Sequence, residues 1–111
     1  MATISNLYVD AGATYSNIIT VTASNGQALD LTSYTVKSQM RKSYQSSTAY
    51  AFTASVYDAT QGKIRLQLTA AGSEAIPAGR WLYDVEITSP SGTKTRVIEG
   101  IVTVNPQITQ I

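Results

Sequence analysis

The sequence predicts an all-β chain: a single antiparallel β-sandwich of about seven strands, with one short helical turn near residues 69–75. Three observations carry this. Apolar side chains recur at every second residue in segment after segment, the period of a half-buried strand. Turn-forming runs of Gly, Pro, Asn, Asp and Ser fall between those segments at regular spacing, as in sandwiches and barrels. A continuous helical period is nowhere present beyond about one turn.

Taken in order, the first strand covers residues 4–9 and stops at Asp10-Ala11-Gly12. The second covers residues 14–23, with Tyr15, Ile19 and Val21 on one face. Ser24-Asn25-Gly26 is a turn, because Asn-Gly accepts positive φ cheaply. After a short linking piece at residues 29–32, the third strand covers residues 34–42. It places Tyr34, Val36, Ser38 and Met40 opposite Thr35, Lys37, Gln39 and Arg41. The fourth, residues 50–57, turns Phe52, Ala54 and Val56 inward. The fifth, residues 63–69, does the same with Ile64, Leu66 and Leu68.

Thr69 caps the helical turn, which Gly72 and Pro77 keep short. Pro77-Ala78-Gly79 leads into the most informative segment, where Trp81, Tyr83, Val85 and Ile87 alternate with Leu82, Asp84, Glu86 and Thr88. The last strand covers residues 93–104, with Gly100 as a bulge or close-contact point, and Pro106 ends it. The expected core is Ile19, Val21, Val36, Met40, Phe52, Val56, Ile64, Leu66, Leu68, Trp81, Tyr83, Val85 and Ile87.

Composition narrows the function. The 111 residues fit one domain, which at this size buries roughly 65% of its unfolded surface without staples. Cysteine and histidine are both absent. Disulfides, thiolate metal sites and the commonest general base are therefore unavailable. Eight basic and seven acidic residues leave a net charge of +1, so no global field draws nucleic acid or an anionic membrane. No secretory leader is visible at the start, and no apolar run reaches the roughly 18 residues of a membrane-spanning helix. Charged residues make up only 14%, so Thr and Ser supply much of the polar surface, which suits a protein docked on others.

The chemistry-bearing residues are sparse. Asp84 and Glu86 share one strand face, and paired carboxylates can divide acid and base roles. The competing reading is a solvated face salt-bridged to Arg96 of the last strand, and it is the stronger. Asp10, Asp30, Asp58, Asp84 and Glu86 are scattered singly, without a calcium-loop spacing. Arg41-Lys42-Ser43-Tyr44 joins charge to an aromatic, yet the loop after it is neutral. It reads as a basic strand end rather than a nucleic-acid patch. Neither catalytic residues nor a cofactor or metal are expected.

Partner contacts are expected instead at the chain ends and at aromatics near strand ends. The candidates are Ile4, Leu7 and Tyr8 in an extended N-terminal segment (residues 1–9), Tyr44 and Tyr57, and Ile108 and Ile111 in a C-terminal tail (residues 106–111). The competing arrangement folds both ends back on their own domain, with Ile4 and Leu7 in an edge strand.

Several segments together resemble a known group. They are residues 29–36 (Leu-Asp-Leu-Thr-Ser-Tyr-Thr-Val), 39–42 (Gln-Met-Arg-Lys) and 62–69. They continue with residues 77–80 (Pro-Ala-Gly-Arg), 83–87 (Tyr-Asp-Val-Glu-Ile) and 96–104. In this order and spacing they are similar to the small immunoglobulin-like virion proteins of tailed bacteriophages, and to the N-terminal domain of phage baseplate upper proteins. Ser33 stands where such sequences often have Gly, and Trp81 where a smaller side chain is usual. The resemblance implies an immunoglobulin-like sandwich and a non-enzymatic virion role. It implies docking on capsid proteins as decoration or cement, or on neck, tail or baseplate proteins. Multiple copies in an assembly, a homo-oligomer among the arrangements expected, synthesis in the host bacterial cytoplasm, and no nucleic-acid or membrane partner go with it. The alternative is a carbohydrate-binding adhesion module, which requires a flat row of exposed aromatics such as Tyr44, Tyr50 and Tyr57.

Overall fold

A computed structural model describes residues 3–23, 26–43 and 45–106. The chain is all-β, as the sequence predicts. The described residues form β1 (Thr3–Ile4), β2 (Leu7–Asp10), β3 (Tyr15–Thr20), β4 (Thr35–Arg41), β5 (Ala49–Asp58) and β6 (Lys63–Leu68). After the single turn α1 (Ala70–Glu74) come β7 (Gly79–Thr88) and β8 (Lys94–Asn105). Hydrogen bonds link the strands in the order β1-β8-β7-β4-β5-β6-β3, and β2 also pairs with β8. The first half of β5 pairs with β4 and its second half with β6. The two expected layers are thus one continuous path folded around one core, nearly closed into a barrel.

The strand phases follow the predicted alternation. Trp81, Tyr83, Val85 and Ile87 are buried, as are Met40, Phe52, Ile64, Leu66, Leu68 and Val21. Ile19, Val36 and Val56 are half-buried and pack against that cluster. Trp81, the larger side chain in the resemblance, meets Tyr50 edge-on at 5.3 Å and donates its ring N–H to the Pro77 carbonyl at 3.0 Å. Thr69 caps α1 by accepting from the Gly72 N–H at 2.9 Å. Ser73 of α1 is fully buried. Its hydroxyl accepts from the Gly12 N–H and lies 2.7 Å from the Ala13 carbonyl, tying the helix to the loop after β2.

The N-terminal segment is two short strands where one was expected over residues 4–9, and it takes the competing arrangement, folded back on its own domain: β1 and β2 both lie parallel to β8 in a single register, Thr3 beside Ile98 and Leu7 beside Val102. Leu7 and Val9 are buried in the core. At the gap between β1 and β2 the Ser5 carbonyl dips over Gly100, where a Cβ would stand 2.2 Å from that oxygen. The Asn6 side-chain oxygen accepts the Ile101 N–H at 3.1 Å, replacing the missing ladder bond. Gly100 is therefore a close-contact point, and the bulge of β8 falls earlier.

Ser33 sits at φ 66°, in the left-handed region. It is the third residue of the turn closed by the Tyr34 N–H on the Leu31 carbonyl, a position that favours glycine when φ is positive.

Candidate interaction surfaces

Two outward faces carry the exposed apolar and charged side chains. The first is formed by β1, β2, β8, β7 and β4. Register places Gln39, Asp84, Glu99 and Ile4 in one row, and Arg41, Leu82 and Ile101 in the next. Alternation alone would put Arg96 and Glu99 on opposite faces. The register shift opposite Val85 and Glu86 leaves Val97 as an extra residue, which turns both outward. Arg96 then lies 3.2 Å from Asp84 and 3.7 Å from Glu99. Burial raises the Asp84 carboxyl above its ordinary pKa. Arg96 opposes that rise, while Glu86 and Glu99 add to it. Around this cluster runs an open groove of about 690 Å3 with Ile4, Leu82 and Ile101 in its wall. Ile4 is 74% exposed.

The second face lies over β3, β6 and β5. Val56 pairs with Ile64 but Asp58 pairs with Lys63, so Tyr57 is the extra residue of a bulge. Bulges re-aim side chains, and here the exposed Tyr57 ring lies under the Arg65 guanidinium at 4.4 Å. Arg65 is in register with exposed Ile18 of β3. Its Nε is buried and has no hydrogen-bond partner, and no carboxylate pairs with it among the described residues.

The contact residues expected from sequence are dispersed. Ile4 and Tyr8 are exposed on the β1/β2 edge, and Tyr57 is exposed on the second face. Leu7 is 4% exposed, so its side chain fills the core and is withdrawn from any partner surface. Tyr44, Ile108 and Ile111 lie outside the described residues. Tyr50, needed for an aromatic row beside Tyr57, is turned onto Trp81.

The basic strand end also folds back on its own domain. Arg41 donates to the Ser46 carbonyl at 2.6 Å, and Lys42 donates to the Arg80 carbonyl while lying over the Trp81 ring. Among the described residues no three acidic side chains group as a metal site. Asp10 accepts from Asn105, Asp30 from Thr32, and Asp58 from Thr60. Sequence reasoning reads Arg65 as an outward strand position that serves edge protection and solubility, and it missed Ile18, Ile101 and Ser73. Ile18 and Ile101 were legible as outward positions too, but the neighbours of all three were not.

No helix among the described residues is long and apolar enough to cross a membrane. No protein-family model matches the chain, and no curated protein matches it. Among solved structures it is similar to an internalin-like protein of Listeria monocytogenes, at 12% identity and a TM-score of 0.48, covering 94% of this chain and 28% of that one. It is also similar to a family 123 glycoside hydrolase from Clostridium perfringens, at 8% identity and a TM-score of 0.40, covering 97% of this chain and 24% of that one.

Proposed function

We propose that this chain is a non-enzymatic structural protein of a tailed-bacteriophage virion. It docks on the capsid surface as decoration or cement, or on the neck, tail or baseplate. Its partners are other virion proteins, it is present in multiple copies, and it is made in the host bacterial cytoplasm. The reading starts from the ordered run of segments between residues 29 and 104. The observation that carries it is Ser33. At φ 66° the backbone there favours glycine, the residue that the resembled virion proteins often have at this place.

The chemistry of the surface agrees. Asp84 is occupied by Arg96, and Arg41 and Lys42 are occupied by main-chain carbonyls. Exposed Ile4, Tyr8, Ile18 and Tyr57 are the kind of apolar and aromatic anchors that interfaces use. The carbohydrate-binding reading loses ground, because Tyr50 faces Trp81 and does not extend a flat row from Tyr57.

The test is quantification of this chain by mass spectrometry in gradient-purified particles from cells that make it. A fixed ratio to the major capsid or tail proteins through successive gradients is expected. Loss of the chain from the particle fractions would refute the assignment.

A further inference from the structure

We propose that copies of this chain associate head to tail, the Arg65–Tyr57 platform of one copy seating in the acidic groove beside β7 and β8 of the next. The inference rests on the reading of the chain as a docking module and names one of its partners as a second copy of itself.

The platform is a cation prepared for an outside acceptor. Stacking on Tyr57 holds the Arg65 guanidinium in place, and no carboxylate pairs with it among the described residues. A guanidinium already oriented by an aromatic ring loses less freedom on meeting an acceptor from a partner than a mobile arginine does. Lys63, two residues along the same strand face, also has no ion pair among the described residues.

The groove has the opposite surplus. Asp84, Glu86 and Glu99 face the two guanidinium groups of Arg96 and Arg41, an excess of one carboxylate, and the Arg41 donors are directed to Ser46 and Gln39. The apolar rims also correspond, with Ile18 and Tyr57 on one face and Ile4 and Ile101 on the other. An arginine and an aromatic ringed by apolar contacts is the composition of interface hot spots.

Two different patches of one chain that complement each other make a heterologous contact, which closes as a ring or extends as a filament. A two-fold contact through the platform would instead set Arg65 against Arg65, and like charges oppose it.

The experiment is sedimentation velocity on the purified full chain over a concentration series at low salt. The variants are Arg65→Glu and Glu99→Lys, alone and mixed in equal amounts, with circular dichroism as the check on folding. The wild-type chain is expected to form species larger than the 11.9 kDa monomer. Each variant alone should associate at least about tenfold more weakly. The mixture should recover association, because each variant supplies the charge the other lacks. Added salt should weaken all of these contacts.

A wild-type chain that stays monomeric up to about 1 mM, or single variants that associate as well as wild type, would overturn the proposal. If Arg65→Glu fails to fold, the milder Arg65→Gln and Glu99→Gln pair carries the test with the same expected weakening. Self-association by a chain absent from particles would sink the virion assignment and leave this contact standing. A monomeric chain found in particles would do the reverse.

Discussion

The Tyr83 hydroxyl donates to the Ser5 main-chain carbonyl at 2.5 Å, tying the middle of β7 across β8 to the gap between β1 and β2. Gly100 stands between them in register with Tyr83, and its missing side chain leaves the space in which the two meet. The bond anchors the N-terminal strands to the core.

Removing that hydroxyl isolates its contribution. Tyr83→Phe should lower stability by about 0.5–1.5 kcal/mol in urea unfolding. It should also change the alkaline limb. Burial pushes the Tyr83 pKa up to about 12, above the ordinary 10.0 of the unfolded chain. The folded state then holds a proton that the unfolded state has released. Stability from this group is complete below pH about 10 and falls away between about 10 and 12. The Phe variant should lack that part of the fall. Identical alkaline limbs in the two proteins would count against the assignment.

Gly100→Ala tests the close approach. Its Cβ would stand 2.2 Å from the Ser5 oxygen and 3.0 Å from the Asn6 side-chain oxygen. Relief requires β1 to move off β8, at a cost of about 1–3 kcal/mol. Hydrogen exchange should show the Ser5 amide, which donates to the Glu99 carbonyl at 2.9 Å, losing protection before the β7 amides do. Uniform loss across the sheet would contradict this.

Trp81→Ala should cost about 3–5 kcal/mol, as for other buried large-to-small changes. It leaves a cavity beside Tyr50 and removes the ring over which Lys42 lies. A loss below about 1 kcal/mol in denaturant unfolding would mean that Trp81 is not a core residue.

Ser33→Gly should stabilise. A non-glycine residue in the left-handed region costs about 1–2 kcal/mol, and the greater freedom of unfolded glycine returns roughly 0.5–1 kcal/mol of that. The net expectation is a gain of about 0.5–1 kcal/mol, read as a higher urea midpoint at unchanged slope. A lower midpoint would indicate that the serine hydroxyl is worth more than the backbone strain.

Much of the architecture was legible because period two is a strong signal where one face is buried. The inward face of β7 and the α1 turn were read directly from residue spacing, and so was Arg96 on the strand beside Asp84. Three features were hidden for a physical reason. A bulge adds one residue and reverses the phase beyond it, so alternation could not bring Arg96 and Glu99 to one face past Val97. The bulge at Tyr57 likewise set the ring under Arg65. Parallel pairing of β1 and β2 with β8 joins segments about 95 residues apart, and no local turn announces it. Leu7 and Val9 were therefore not recognised as core.

The central claim is that this chain works by being docked. A cryo-electron microscopy map of particles from cells that make it tests that most directly. The account predicts density for this β domain at repeated positions, with a neighbouring protein against the groove around Asp84, Glu99 and Ile101. Particles without such density, or with the domain present but both the groove and the Arg65–Tyr57 face open to solvent at every position, would contradict it.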